Sequence, residues 1–494
     1  MTKVAAVILA DSGAEAERQA RTALGKGADL VELRLDHIRD LNPGVVRKLA
    51  SAVGSRAIAT LRSPAQGGAH GLERSRRSSL LKDICSQRFG YVDLELETDA
   101  GEAQTLVTVA RRHRVHVIVS HHFLKPADLS EVEDALDACA RIGDVAKVAL
   151  PAIDVDTAME LVELARTQGS GKRRVVLIGM GPEGMITRAL AEDVGQEIQY
   201  AAWGRAAAPG QLPLATAVRL RTHEPVVLGL VGHPIGHSIS PAIQEAALAA
   251  LGLPAVYLPF DVGTESLDGL LHAAHRLHLR GFNVTIPHKE TMAHKLDELD
   301  GDAQRLGAVN TVVIEEGWTK GHNTDVFGFR ISLRSLGLRV GDRRVLVVGA
   351  GGAAKAVVHV VLREGAHVEI TNRTIARSKA LADAFDEPVD VIPMDSLARR
   401  GPWDLLVNAT PVGTKGFANG LPVPESVVAR ASFVYDLVYN PPNTPLLQAA
   451  KRLNRPGTSG LEMLLQQAAK SFELWTGHSA PFEAMRRAAK EALR

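Results

Sequence analysis

Residues Val345 to Thr374, VLVVGAGGAAKAVVHVVLREGAHVEITNRT, read as strand, glycine turn, helix and second strand in one unbroken βαβ unit. Gly349, Gly351 and Ala354 fall on the three small positions of the G-x-G-x-x-G/A pattern. One makes the tight turn, one lets the backbone approach a pyrophosphate, and one lets helix pack on strand. The turn as a whole, Gly349, Ala350, Gly351, Gly352, Ala353 and Ala354, is therefore the expected dinucleotide cradle. The helix that starts near Ala353 would point its positive end at the phosphates. An NAD site usually carries an acidic residue at the end of the second strand, to hold the ribose 2′-hydroxyl. Here that strand ends in Asn372-Arg373-Thr374. A guanidinium suits a 2′-phosphate, so the expected cofactor is NADP(H).

At 494 residues the chain is too long for one core, and its length suggests about three domains. Its 57 basic and 56 acidic residues nearly cancel and aromatics make up only 4%, so no basic, stacking surface argues for nucleic acid. The two cysteines, Cys85 and Cys139, form no CxxC and no Cys/His cluster, so neither a disulfide frame nor a metal site is expected. That usage fits a reducing cytoplasm. The apolar start Val4–Ala10 is stopped by Asp11 and lacks a basic leader, so it reads as a first strand rather than a signal peptide. No apolar run is long enough to span a bilayer. The expected partners are small molecules, not nucleic acid or membrane, and the sequence leaves open whether the chain works as a homodimer.

From the N-terminus, eight short apolar strands alternate with helical stretches: 4–10, 30–35, 56–61, 91–96, 115–120, 144–150, 174–180 and 198–203. Eight βα units predict a (β/α)8 barrel over residues 1–222. His223-Glu224-Pro225 interrupts the alternation and a new strand begins at Val226. The remainder divides into an αβ segment over 226–338, a Rossmann-type nucleotide domain over 339–455, and a helical tail over 456–494 that completes the first segment. The glycine- and charge-rich stretch 169–174 reads as a helix-to-strand connection.

A charged side chain inside a barrel strand is costly unless it serves the barrel mouth. Lys147, in DVAKVAL, shares a strand face with Val145 and Ala149. A lysine desolvated there can lose its proton and attack a carbonyl as an amine. Glu32, Arg34 and Asp36 likewise alternate with Val31, Leu33 and Leu35, which puts three charges on one inward face. Arg62 follows strand three, His121 and His122 follow strand five, Arg188 follows strand seven and Gln211 follows strand eight. All lie on the side where barrel enzymes place their sites.

On these segments, VELRLD at 31–36, Arg62 with Gly67-Gly68, Ser120-His121-His122, AKVAL around Lys147, Arg188 and APGQ at 208–211, the first half resembles a type I 3-dehydroquinate dehydratase. The resemblance implies that Lys147 forms a Schiff base with the substrate ketone. His122 would remove the adjacent proton and later protonate the leaving hydroxyl, with Glu32 helping to position the pair. Arg34, Arg62, Arg188 and Gln211 would hold the carboxylate and hydroxyls, the arginines through charge-assisted bonds. The sequence departs from the pattern at two places. Phe123 follows the histidines, so His121 and His122 both remain candidates for the base, with His122 preferred. Ala207 stands where the family has serine, so one substrate-contacting hydroxyl is missing.

The second half carries VGHPIGHSISP at 231–241, GFNVTIPHK at 281–289, GAVNT at 307–311, GHNTD at 321–325, NATPVG at 408–413, YDLVYNP at 435–441 and GLEMLLQQA at 460–468. With these motifs it resembles shikimate dehydrogenase along almost its whole length. By that resemblance Ser238, Ser240, Asn283, Thr285, Asn310, Asp325 and Gln467 bind a carboxylate and hydroxyls, Lys289 and Asp325 form the catalytic pair, and Tyr439 closes on the substrate. Ala350, Asn372, Arg373, Thr374, Arg377, Thr410, Gly460 and Met463 would contact the cofactor. A polyol needs a dense set of short polar side chains, and Ser, Thr and Asn supply donors and acceptors without bulk. By the same resemblance, serine at both 238 and 240 favours shikimate over quinate.

The implied product of the first half, 3-dehydroshikimate, is the implied substrate of the second. The expectation is thus a bifunctional cytoplasmic enzyme that dehydrates 3-dehydroquinate and reduces the product with NADPH. The alternatives are a dehydrogenase with an inactive barrel module, or a regulatory protein that binds pathway metabolites. Lys147 argues against the first, and Lys147, Lys289 and Asp325 argue against the second, because a sensor needs pocket shape rather than reactive groups.

Overall fold

The computed structural model describes residues 1–494 except 170, 172, 223, 237 and 417–419. His223 of the expected boundary, His237 of the 231–241 motif, and Ser170 and Lys172 of the 169–174 connection therefore lie outside the described residues. The chain forms two compact units, Met1–Leu228 with Gly252–Leu279, and Gly229–Leu251 with Arg280–Arg494.

In the first unit, eight strands run β1 (Lys3–Ile8), β2 (Leu30–Arg34), β3 (Ala57–Thr60), β4 (Tyr91–Glu95), β5 (His116–His122), β6 (Val145–Pro151), β7 (Val175–Met180) and β8 (Ile198–Ala202). They lie in the order β7-β6-β5-β4-β3-β2-β1-β8, each pair parallel. Glu197 N donates to Val175 O at 2.9 Å, and Val176, Ile178, Ile198 and Tyr200 share one buried cluster. The two outer strands therefore meet and the sheet nearly closes. Period-two alternation explains the interior, because Leu30, Ile58, Tyr91, Ile118 and Val145 point inward while their neighbours face the helices.

The helices close the outside by the complementary periodicity. Helix Leu129–Ile142 buries Val132, Ala135, Leu136 and Cys139 at three- and four-residue spacing. A capping box between Asp128 and Glu131 starts it. Truncating Leu136, which is 2% exposed, to alanine would cost about 2–5 kcal/mol. Strand five runs through His122, past the expected end at Ser120, so both histidines stand on the strand rather than after it.

The chain continues through β9 (Val226–Gly232), β10 (Ala255–Asp261), β11 (Leu279–Val284), β12 (Glu298–Leu299), β13 (Thr311–Glu315) and β14 (Trp318–His322). In the second unit β13 pairs antiparallel with both β11 and β14, and β14 runs parallel to β12. The glycine-turn segment then opens a six-stranded parallel sheet: β15 (Arg344–Val348), β16 (His367–Thr371), β17 (Val389–Val391), β18 (Trp403–Asn408), β19 (Ala431–Asp436) and β20 (Gly457–Ser459). Its order β17-β16-β15-β18-β19-β20 reverses at β15, and the crevice beyond the strand ends at such a reversal is where this architecture binds ligands. Val345 and Val347 pack with Ala354, Val357 and Val361 of helix Gly352–Arg363. Leu346 and Val348 pack on the opposite face with Val427, Val428 and Leu446.

Helix Leu461–Thr476 returns to lie against helices Thr324–Ser335 and Ser240–Leu251, and Phe482–Ala492 also packs on Ser240–Leu251. Trp475 Nε1 donates to Val312 O at 2.8 Å, pinning the tail to β13.

Candidate active sites

In the first unit a cavity of about 220 Å³ is lined by Glu32, Arg34, Arg62, His122, Lys147, Arg188 and Gln211, together with Gln66, Tyr200 and Ala207. Strand register assembles its floor. Ser120 stands opposite Lys147 and Thr60 opposite Asp93, so inward residues of neighbouring strands lie at one height. Lys147 is 4% exposed. Its Nζ lies 3.1 Å from Asp93 Oδ2 and 3.5 Å from Glu32 Oε1, and 3.9 Å from the centre of the Tyr200 ring.

Asp93 has no exposed side-chain surface and is fully bonded. Arg62 Nη2 donates to Oδ2 at 3.0 Å and Ser120 Oγ to Oδ1 at 2.6 Å. Burial alone would push this carboxyl up, but Arg62, Lys147 and Ser120 outweigh it and hold Asp93 well below the usual carboxylate range. Thr60 Oγ1 donates to Glu32 Oε1 at 2.9 Å. Arg34 forms a two-pronged pair with Asp36 at 2.9 and 2.8 Å. Arg188 is also buried, which draws its guanidinium down to about 10, and it donates to Gly179 O. Gln211 accepts from Ala207 N at 2.8 Å.

The two histidines of β5 part company. His121 pairs with Glu97 and meets Phe123 edge-on, whereas His122 lines the cavity. Its backbone N donates to Gln66 Oε1 at 2.7 Å, and its Nδ1 is buried with no hydrogen-bond partner. Burial, reinforced by Arg62 and Lys147, lowers the His122 imidazole well below its ordinary value. It is therefore neutral near pH 7 and able to accept a proton.

Asp93, Gln66 and Tyr200 were not among the expected site residues. A signal for the first was present, because Asp93 and Glu95 alternate with Val92 and Leu94 as Glu32 and Arg34 do in β2. Nothing local marked Gln66 or Tyr200.

In the second unit Lys289 opens helix Lys289–Ala293 and Asp325 lies in the first turn of helix Thr324–Ser335. Lys289 Nζ is 2.5 Å from Asp325 Oδ2. Asn310 Nδ2 donates to Asp325 Oδ1 at 2.9 Å and lies 3.3 Å from Gln467 Oε1. Asn283 Nδ2 donates to Asn310 O, Thr311 Oγ1 and Ser471 Oγ, each at 3.1 Å. Thr324 Oγ1 and Ser471 Oγ are 3.2 Å apart. Ser240 N donates to Ser238 Oγ at 3.3 Å, and Ser238 is hydrogen-bonded to Tyr439. Thr285 N donates to Val231 O at 2.9 Å, fixing the turn before Lys289. Thr311, Thr324 and Ser471 join this network without having been singled out. Ser471 follows Gln467 by one helical turn, so a shared face was legible once Gln467 was chosen.

The glycine turn has the shape a pyrophosphate needs. Gly349 has φ +118°, and a Cβ there would sit 2.8 Å from Ala409 O, so no other residue fits. Gly351 precedes the helix as its cap, and a Cβ built on it meets nothing within 4 Å. That open space lies before a helix N-terminus. Beyond β16, Arg373, Thr374 and Arg377 are exposed, and Asn372 Nδ2 donates to Thr374 O at 3.0 Å. Thr410 is held by Asn408 Oδ1 through both its N–H at 3.0 Å and its hydroxyl at 2.7 Å. Met463 is buried against the sheet core, and Gly460 caps the same helix. The residues present thus fit a dinucleotide.

Sequence comparison matches each half of the chain to a known family. Residues 4–223 match the type I 3-dehydroquinase family. Residues 230–312 match the shikimate dehydrogenase substrate binding domain, 332–415 the shikimate/quinate 5-dehydrogenase family, and 460–490 the shikimate 5′-dehydrogenase C-terminal domain. The chain is 43% identical over 256 residues to the shikimate dehydrogenase (NADP+) of Caldanaerobacter subterraneus subsp. tengcongensis, covering 51% of this chain and 91% of that protein. Among solved structures, a shikimate dehydrogenase in complex with NADP+ is 38% identical with a TM-score of 0.52, covering 55% of this chain and 97% of its own. The dehydroquinate dehydratase and shikimate dehydrogenase from S. pombe is 26% identical with a TM-score of 0.46, covering 99% of this chain and 98% of its own.

Proposed function

Because the chain belongs to the shikimate dehydrogenase family and carries a type I 3-dehydroquinase domain ahead of it, we propose that Lys147 with His122, and Lys289 with Asp325, carry its two reactions. It is a bifunctional enzyme of the shikimate pathway, dehydrating 3-dehydroquinate to 3-dehydroshikimate and reducing that ketone to shikimate with NADPH. The domains are residues 1–222, residues 226–338 completed by 456–494, and residues 339–455. A cytoplasmic setting fits the two unpaired, buried cysteines, and among the described residues no helix is long and apolar enough to cross a membrane.

One observation carries the dehydratase reading: the buried Lys147 Nζ shares a cavity with a neutral imidazole, His122. Lys147 condenses with the ketone, expelling water and leaving a cationic iminium. The iminium draws electrons from the adjacent C–H bond, and His122 takes that proton. The resulting enamine expels the hydroxyl, to which His122 returns a proton, and hydrolysis then frees Lys147. Arg34, Arg62, Arg188 and Gln211 hold the carboxylate and hydroxyls, and Glu32 positions the reacting pair.

In the second unit Ser238, Ser240, Asn283, Thr285, Asn310, Tyr439 and Gln467 bind the substrate's carboxylate and hydroxyls. NADPH supplies a hydride when bound, held by the 349–354 turn, Asn372, Arg373, Thr374, Arg377, Thr410, Gly460 and Met463. Lys289 delivers a proton to the developing alkoxide, and Asp325 aims it.

The test is a coupled assay. Supplied with 3-dehydroquinate and NADPH, the protein should consume NADPH and form shikimate. Borohydride added with 3-dehydroquinate should attach mass to the peptide that carries Lys147. Absence of shikimate, or label at another lysine, would overturn the assignment.

A further inference from the structure

Resting on the proposed Schiff base at Lys147, we infer that Asp93 is a further catalytic residue, the standing counter-ion of the reacting nitrogen. Lys147 shares its cavity with Glu32 and Arg34 from β2, Arg62 beyond β3, His122 from β5, Tyr200 from β8 and Arg188, and its Nζ also meets Asp93 from β4. Of these, Asp93 is the nearest anion, at 3.1 Å, and Glu32 stands at 3.5 Å. With the Tyr200 ring they enclose the nitrogen in a cage suited to a cation.

Charge balance assigns the role. An ammonium and a ketone give an iminium and one water, so the nitrogen is cationic before and after condensation. A carboxylate at fixed distance therefore serves both states without moving. Only a protonated imine is an effective electron sink, and a neighbouring anion favours that form over the neutral imine. Asp93 itself stays ionised. Arg62, Ser120 and Lys147 together occupy both its oxygens, so it carries no proton through the cycle. Proton transfer remains with His122, on the neighbouring strand β5.

Cyanoborohydride reduces an iminium but not a neutral imine, so labelling of Lys147 as a function of pH reports how long the imine keeps its proton. The full chain is incubated with 3-dehydroquinate and cyanoborohydride, and the Lys147 peptide is weighed. In Asp93→Asn the labelling should fall off about one to three units lower in pH than in wild type. In Glu32→Gln the displacement should have the same direction and be smaller. Should Asp93→Asn lose its cooperative melting transition, Glu32→Gln alone decides. An unmoved fall-off in the variants that fold overturns the inference and leaves Asp93 as a support for Arg62. Absence of label on Lys147 in wild type overturns the underlying Schiff-base reading instead.

Discussion

Asn310 donates to Asp325 Oδ1 at 2.9 Å, which leaves the other carboxylate oxygen to Lys289. The carboxylate is gripped from both sides, so the lysine's direction is set before any substrate arrives. Lys289→Ala and Asp325→Ala should each cripple ketone reduction while leaving dehydration near the wild-type rate. Asn310→Ala removes one hydrogen bond to a charged group, about 1.5–3 kcal/mol, and should slow reduction roughly tenfold to hundredfold. Steady-state rates of the two half-reactions, measured separately, decide this. Loss of both activities together would contradict the assignment of one reaction to each unit.

On the proposed reading, Arg373 sets the choice between cofactors. It is exposed just past β16, where an NAD enzyme would carry a carboxylate. A charge-assisted bond to a 2′-phosphate contributes about 1.5–3 kcal/mol. Arg373→Ala should accordingly lower kcat/KM for NADPH roughly tenfold to hundredfold and barely alter that for NADH. Equal losses with both cofactors would make Arg373 a structural residue of the strand end.

The dehydratase should tolerate acid. Burial first, then Arg62 and Lys147, lower the His122 imidazole well below its ordinary value. A depressed histidine keeps its neutral, basic form as pH falls and loses it only at the lower folded value. The kcat/KM profile for dehydration, which reports the free enzyme, should therefore show no acid limb near the ordinary histidine pKa of about 6.5. A half-maximal point there would mean that His122 is solvated as an ordinary histidine.

Cys85 and Cys139 should be chemically silent. Both are fully buried, and burial pushes each thiol up to about 12. Iodoacetamide near pH 8, where a free cysteine of pKa about 8.5 is partly thiolate, should modify neither in the folded protein and both after unfolding. Reaction of the native protein would show that the helices carrying them open readily.

The barrel strands were legible because a buried strand alternates its faces over a few residues, a purely local signal. Lys147, Glu32 and Arg34 stood out as charges within that alternation. Asp93 carried the same signal but was missed, because YVDLEL reads as a plain strand until its partners Arg62 and Lys147 are in view. Thr311 and Ser471 lie 160 residues apart and meet at 2.8 Å. Only the return of the last long helix creates that pairing, and no window along the chain contains it. The difference between His121 and His122 was likewise tertiary, since Glu97 claims one and the cavity the other.

Gly352 is not one of the three small positions of the dinucleotide pattern, yet a side chain there would press on Lys289. A methyl group there would sit 3.3 Å from Lys289 Cδ, closer than ordinary packing allows. The lysine stem would have to retreat by a few tenths of an ångström, carrying its ammonium with it. A substitution made to probe nucleotide binding would then also mis-aim the proton donor, and its kinetic signature would mix the two. On the proposed roles, the first turn of the helix that would meet the cofactor also walls the proposed proton-transfer site, and one backbone position serves both tasks.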